Sequence, residues 1–150
     1  MDGKVQMFVP IKLKKLEPNA VVPEIKSALA SGADLCACEH GSIAPGSVEL
    51  VSTGIAVAIP EGYEIQVRSR SGLAAKKGVF VLNAPGTVDA DYRGDVKIIL
   101  ANFGKLTFDY QPGDRLAQMV CAAVTQARYE VVDELDETER GEGGFGSTGV

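Results

Sequence analysis

Gly86-Thr87-Val88-Asp89-Ala90-Asp91-Tyr92-Arg93-Gly94 sets two acids and an aromatic between two glycines. Apolar runs flank it, Val79 to Leu82 before and Val96 to Leu100 after. Pro85-Gly86 is a turn signal, so the pattern predicts a β-hairpin whose bend holds Asp89 at a fixed place. A carboxylate held this way can orient and deprotonate a water, and Gly86 lets a ligand approach the backbone with no Cβ in the way. The ordinary alternative is that Asp89 and Asp91 are turn acids bonding their own backbone. One such pair does not decide between the two; the surrounding chain must.

Outward from that stretch the chain reads as short strands between turns. Val9, Ile11 and Leu13 alternate with Pro10 and Lys12, an opening strand that Pro10 confines to an edge. Pro18 to Ser31 reads as loop with one helical turn at Glu24 to Leu29, and a short strand carrying Asp34 follows. Val48 to Ile59 is one bent strand or two short ones, broken at Gly54. Tyr63, Ile65 and Val67 alternate with Glu64, Gln66 and Arg68, a half-buried strand. Leu73 to Lys77 with Gly78 fits a short helix and its glycine cap. Strands at 79–82, 96–101, 106–110, 116–124 and 129–132 complete the pattern, which indicates an all-β sandwich or barrel-like fold.

The 150 residues suit one domain, with a core of its own. A formal net charge of −5 argues against broad nucleic-acid binding, so an anionic ligand would need local arginines or a metal. No apolar run approaches membrane-spanning length. The opening Met1-Asp2-Gly3-Lys4 lacks a signal-peptide pattern, and Cys36, Cys38 and Cys121 are an odd set, so reduced thiols and a cytoplasmic setting are expected. Cys36, Cys38 and His40 do not have zinc-site spacing. His40 is the only histidine, which leaves little material for a Ser-His or Cys-His nucleophile. Composition divides the chain into a core at 1–132 and an arm at 133–150, acidic to Arg140 and then glycine-rich. The arm cannot bury enough surface to fold alone. Arg140 can grip phosphate oxygens, the glycine run exposes backbone N–H groups to an anion, and Phe145 can stack on a heterocycle.

Five stretches in register carry a specific resemblance. They are Ser31-Gly32-Ala33-Asp34-Leu35, Arg70-Ser71-Gly72-Leu73, the Gly86 to Gly94 stretch, Pro112-Gly113-Asp114-Arg115-Leu116-Ala117-Gln118, and Arg140-Gly141-Glu142-Gly143-Gly144-Phe145-Gly146-Ser147-Thr148-Gly149. The sequence resembles the homotrimeric, all-β dUTP pyrophosphatases (dUTPases). That resemblance implies a distorted jelly-roll or β-clip barrel with one short helix and a C-terminal glycine-rich lid. It implies Mg²⁺-dependent hydrolysis of dUTP to dUMP and pyrophosphate, which keeps uracil out of DNA and supplies dUMP for thymidylate synthesis.

By position, Asp89 resembles the general base. Asn83 and the backbone at Gly86 and Val88 would read uracil, and Tyr92 would pack on the deoxyribose and exclude a 2′-hydroxyl. Arg70, Ser71, Gly72 and Gln118 would hold phosphates, and Asp34 would bind magnesium through its waters. Arg140, Phe145, Gly146, Ser147 and Thr148 would close over the nucleotide. The family builds each site from three subunits: one gives the first, second and fourth stretches, another the third, and a third the arm. Arg68 and Arg115 are expected to be structural ion-pair partners, Asp91 a brace within the hairpin, and Cys121 a core residue.

Two other functions compete. A dCTP deaminase of the same superfamily carries a catalytic glutamate near the position of Ile99, where this chain has Ile98-Ile99-Leu100 and no acid. A catalytically silent nucleotide sensor would have lost some of Asp89, Arg70, Ser71, Gln118 and Phe145, all of which are present.

Overall fold

A computed structural model describes residues 8–149; the Met1-Asp2-Gly3-Lys4 start lies outside them. The described residues form eleven strands and one short helix: β1 Lys12–Lys15, β2 Ala33–Cys36, β3 Gly41–Ile43, β4 Val48–Ser52, β5 Ile55–Ala58, β6 Tyr63–Ser69, α1 Ser71–Lys77, β7 Val79–Val81, β8 Gly86–Val88, β9 Lys97–Asn102, β10 Phe108–Tyr110 and β11 Arg115–Ala123. All pairings are antiparallel. The larger sheets run β2-β11-β6-β8 and β4-β9-β7, and two-stranded ribbons β1-β5 and β10-β3 accompany them. The mostly β architecture matches the all-β expectation from the repeated short strands, and the non-consecutive neighbours in both sheets fit the distorted jelly-roll that the resemblance implies.

Period-two alternation explains the core. In β6, Ile65 and Val67 are buried while Glu64, Gln66 and Arg68 lie on the other face. Leu35, Ile43, Val51, Ile55, Val79, Val81, Ile98, Leu100 and Leu116 join Ile65 in one apolar cluster between the sheets. Each such side chain contributes about 1.5–3 kcal/mol by leaving water. Asn102 is buried among them and is satisfied, its amide donating to the carbonyls of Ile43 and Leu106 at 2.8 Å.

Several boundaries differ from the sequence expectation. The opening strand begins at Lys12, because its register partner is β5, Lys12 to Lys15 facing Ala58 to Ile55, and Pro10 has no N–H to give. The region Val48 to Ile59 is two strands, broken at Thr53-Gly54. Residues 24–29 form no helical turn. Cys121 is exposed rather than a core residue. Residues 129–132 form no strand, since among the described residues nothing pairs with them; Tyr129 and Val131 are 92% and 98% exposed. The stretch 79–100 is also more than one hairpin. β7 and β9 pair with each other, but between them the chain leaves for the other sheet, where β8 pairs with β6.

Candidate active site

One cluster gathers around Asp34. This residue sits on β2 opposite Gln118 of β11, with side chain 22% exposed. A register shift between Arg115 and Ala117 bulges β11 and re-aims Arg115. Arg70 follows β6 in extended conformation, at φ −90° and ψ 125°. Its Nε lies 3.3 Å from Asp34 Oδ1, and Arg115 Nη1 lies 3.4 Å from Asp34 Oδ2. Arg70 Nη1 also donates to the Arg115 carbonyl at 3.0 Å, and Gln118 Nε2 to the Ser69 carbonyl at 3.0 Å. Two guanidiniums around one carboxylate leave a local positive charge in an acidic chain. Each guanidinium carries five N–H donors in a fork that matches phosphate oxygens. Ser71 and Gly72 open α1 beside the cluster and are exposed.

The second group lies on the loop after β8. The Asp89 carbonyl accepts from Tyr92 N at 3.1 Å, which closes a turn. Arg93 Nη1 braces that turn through the carbonyls of Ala90 at 2.6 Å and Tyr92 at 3.1 Å. Tyr92 Oη donates to the Asp95 carbonyl at 2.9 Å, and the ring crosses Gly94 so closely that a Cβ there would sit 2.5 Å from Oη. Asn83 folds back in the same way onto Gly86, where a Cβ would meet Nδ2 at 3.1 Å. Asp95 anchors the loop to the β4–β5 turn, accepting from Ser52 Oγ at 2.5 Å and Gly54 N at 3.0 Å.

Asp89 and Asp91 are both exposed, and among the described residues neither side chain has a hydrogen-bond or ion-pair partner. The turn-acid alternative therefore fails for both, and Arg93 with Asp95 does the bracing expected of Asp91. Asp89 lines a cleft of about 790 Å³ with Tyr63, Glu64 and Arg93. Arg115 pairs with Asp34 as expected, whereas Arg68 makes no ion pair among the described residues and donates to Gln66 Oε1. Asp95, which the five stretches do not include, directly precedes buried Val96 and β9.

Both groups share one sheet face but not one place. Gln118 faces Arg68 across β11–β6, and Thr87 faces Gln66 across β6–β8. The Ile65–Val88 pairing puts Asp89 one step further on, beside Glu64. Asp89 and Arg70 thus flank opposite ends of β6. Six residues at about 3.3 Å each separate Glu64 from Arg70, roughly 20 Å. Within one chain, Asp89 and the arginine cluster therefore face different ends of the sheet.

The arm makes no described hydrogen bond to either group. Val124 N donates to the Gly62 carbonyl, and beyond it the described hydrogen bonds join the arm only to itself, such as Arg140 Nε to the Gly143 carbonyl at 2.8 Å. Phe145 is fully exposed with φ +50°, and Gly146, Ser147 and Thr148 follow it in turns.

Known proteins resemble the chain over nearly its whole length. The dUTPase family model matches residues 18–149. A deoxyuridine 5′-triphosphate nucleotidohydrolase of Wolinella succinogenes is 57% identical over 139 residues, 93% of each chain. One from Helicobacter pylori is 52% identical over 140 residues, 93% of this chain and 97% of the other. Among solved structures, a mutant dUTPase of Staphylococcus bacteriophage 80alpha with dUpNHpp superposes at TM-score 0.86 and 27% identity, covering 94% of this chain and 99% of that one. A mutant dUTPase from phage phi11 of S. aureus, described for the coordination of a structural Mg(II) ion, gives TM-score 0.77 at 26% identity over 83% and 97% of the two chains. Fold, family model and relatives agree, and the chain belongs to the dUTPase family.

Proposed function

We propose that this chain hydrolyses dUTP to dUMP and pyrophosphate, with Asp89 as general base, at sites assembled between copies in a homotrimer. The observation that carries the proposal is the exposed, unpartnered Asp89 carboxylate at the opposite end of β6 from the arginine cluster. Asp89 takes a proton from a water, whose oxygen attacks the α-phosphorus. The bond from that phosphorus to the α/β bridging oxygen breaks, and pyrophosphate leaves with the electron pair. Arg70, Ser71, Gly72 and Gln118 of a neighbouring copy bind the phosphate oxygens, and charge neutralisation and positioning account for most of the acceleration.

Base choice rests on Asn83 and on the backbone at Gly86 and Val88. Cytosine presents a donor where uracil accepts, which would leave a buried N–H unpaired at a cost of about 1–3 kcal/mol. Tyr92, held across Gly94 by its bond to the Asp95 carbonyl, packs on the deoxyribose and leaves no room for a 2′-hydroxyl. The core at 1–132 supplies these groups. The arm at 133–150 closes over them, Arg140 with Gly146, Ser147 and Thr148 on the phosphates and Phe145 on the base. Its exposure and self-contained bonding support a segment that finds its contacts on another copy.

The donor set fits Mg²⁺ held through water. Both Asp34 oxygens already face guanidiniums, and among the described residues no three His, Cys, Asp or Glu side chains gather. An ion carried by the triphosphate with its own waters needs one outer-shell carboxylate, which Asp34 supplies. When bound, the ion neutralises charge on the phosphate oxygens. Free Cys36, Cys38 and Cys121 suit a reducing cytoplasm. No helix among the described residues is long and apolar enough to cross a membrane.

The test is pyrophosphate release from dUTP, dCTP, dTTP and UTP with and without Mg²⁺. Strong preference for dUTP with Mg²⁺ is expected. Ammonia released from dCTP, or dUTP bound tightly without turnover, would overturn the proposal.

A further inference from the structure

The outer face of β6 carries a ladder that the reaction does not use. Arg68 Nε and Nη2 donate to Gln66 Oε1 at 3.2 and 2.7 Å, and Gln66 Nε2 donates to Glu64 Oε1 at 2.7 Å. The amide thus lies between an unlike pair and links them in line. Among the described residues Arg68 meets no acid and Glu64 no cation. One end of the strand is therefore positive, the other negative, and neither charge is neutralised within the chain.

The two ends coincide with the two halves of the site. Arg68 and Arg70 point to the same face, two residues and about 7 Å apart. Glu64 lies next to the Ile65–Val88 pair, Asp89 follows directly after β8, and both line one cleft. An arrangement that brings Arg70 of one copy to the phosphates served by Asp89 of the next would set the positive end of one β6 toward the negative end of another, a complementary match of charge. We infer that Arg68 of one copy forms an ion pair with Glu64 of the neighbouring copy, and that this pair sets the register of the two half-sites. The partner is a second copy of the chain, and Arg68 and Glu64 are positioning residues. The inference rests on the shared-site reading above. Gln66 fits the role, because its amide presents a donor on one side and an acceptor on the other and holds both charged side chains ready before assembly.

The experiment compares Arg68→Glu, Glu64→Arg and the double variant by light-scattering mass at low micromolar protein and by pyrophosphate release from dUTP. Reversing both charges inverts the ladder, with Gln66 turned over, and recreates the pair. Each single variant is expected to shift mass toward the monomer and to lower kcat/KM by at least about 30-fold, as for losing one partner of a desolvated charge pair. The double variant is expected to recover both to within about threefold of the parent, as a coupled pair should. Single variants that keep mass and rate, or a double variant no better than its parents, would overturn the pairing. If a charge reversal abolishes the cooperative melt, Arg68→Gln and Glu64→Gln replace it, with the same loss of mass expected. The mass arm stands apart from catalysis: an unmutated chain that assembles without hydrolysing dUTP sinks the proposed activity, not the pair.

Discussion

Replacing Asp89 by Asn separates chemistry from architecture, because the structure gives this side chain no structural duty. Its carboxylate is exposed and has no partner among the described residues; the turn it occupies is closed by backbone and by Arg93. An exposed change of this kind moves stability by no more than about 0.5 kcal/mol, which for a chain of this size is within about 2 °C of melting temperature. Loss of a general base costs about 10²- to 10⁴-fold in the chemical step, or roughly 3–5 kcal/mol of barrier. The amide keeps the size of the side chain and removes only the proton acceptor, so affinity for a non-hydrolysable dUTP analogue should change little. Steady-state pyrophosphate release, calorimetric binding and thermal melting read the three quantities. A kcat within tenfold of the parent would show that another group takes the proton. A melting loss of more than a few degrees would show that Asp89 braces the loop after all.

Three further outcomes are expected. Removing residues 140–150 should leave melting unchanged and lower kcat/KM by roughly 100-fold or more, the scale of losing preorganised phosphate donors; a falling melting temperature would make the arm structural. Gly94→Ala pushes a Cβ against Tyr92 Oη, which it would approach to 2.5 Å, and should cost about 0.5–1.5 kcal/mol through the lost bond to the Asp95 carbonyl. The same variant should narrow the dUTP-to-UTP ratio of kcat/KM, and an unchanged ratio would count against Tyr92 as the sugar gate. Chelating divalent ions should cut turnover at least about tenfold, with recovery on Mg²⁺, while the melt of the ligand-free chain stays put, since no metal cluster ties the described residues together.

What the sequence made legible follows from locality. Alternation in Tyr63 to Arg68 is a property of adjacent residues, and β6 appears where it predicts. The short helix likewise ends at Gly78, in left-handed conformation, as its composition indicates. The departure of β8 from its own hairpin is non-local: nothing in Gly86-Thr87-Val88 names β6 as its partner. β3 has no local signal for the same reason, since Gly41-Ser42-Ile43 is strand only by virtue of β10. Tyr129 to Val132 shows the reverse error. It has the composition of a strand, yet among the described residues no strand pairs with it, so local composition alone does not make it one. The candidate site divides similarly. Short stretches located its members, and the fold joins Asp34, Arg70, Arg115 and Gln118. The separation of Asp89 from them, roughly six residues along β6 or about 20 Å, emerges only from strand register, and the bracing role of Asp95 only from its bonds to Ser52 and Gly54.

Subunit mixing tests the shared site most directly. Asp89→Asn and Arg70→Ala chains, each inactive alone, are unfolded together in equal amounts, refolded and assayed for pyrophosphate release from dUTP. If each site takes Asp89 from one copy and Arg70 from another, random assembly leaves both intact in about one site in four, so about a quarter of the parent activity should return. Activity no higher than that of the separate variants, in a mixture shown by mass to have exchanged its chains, would contradict the account.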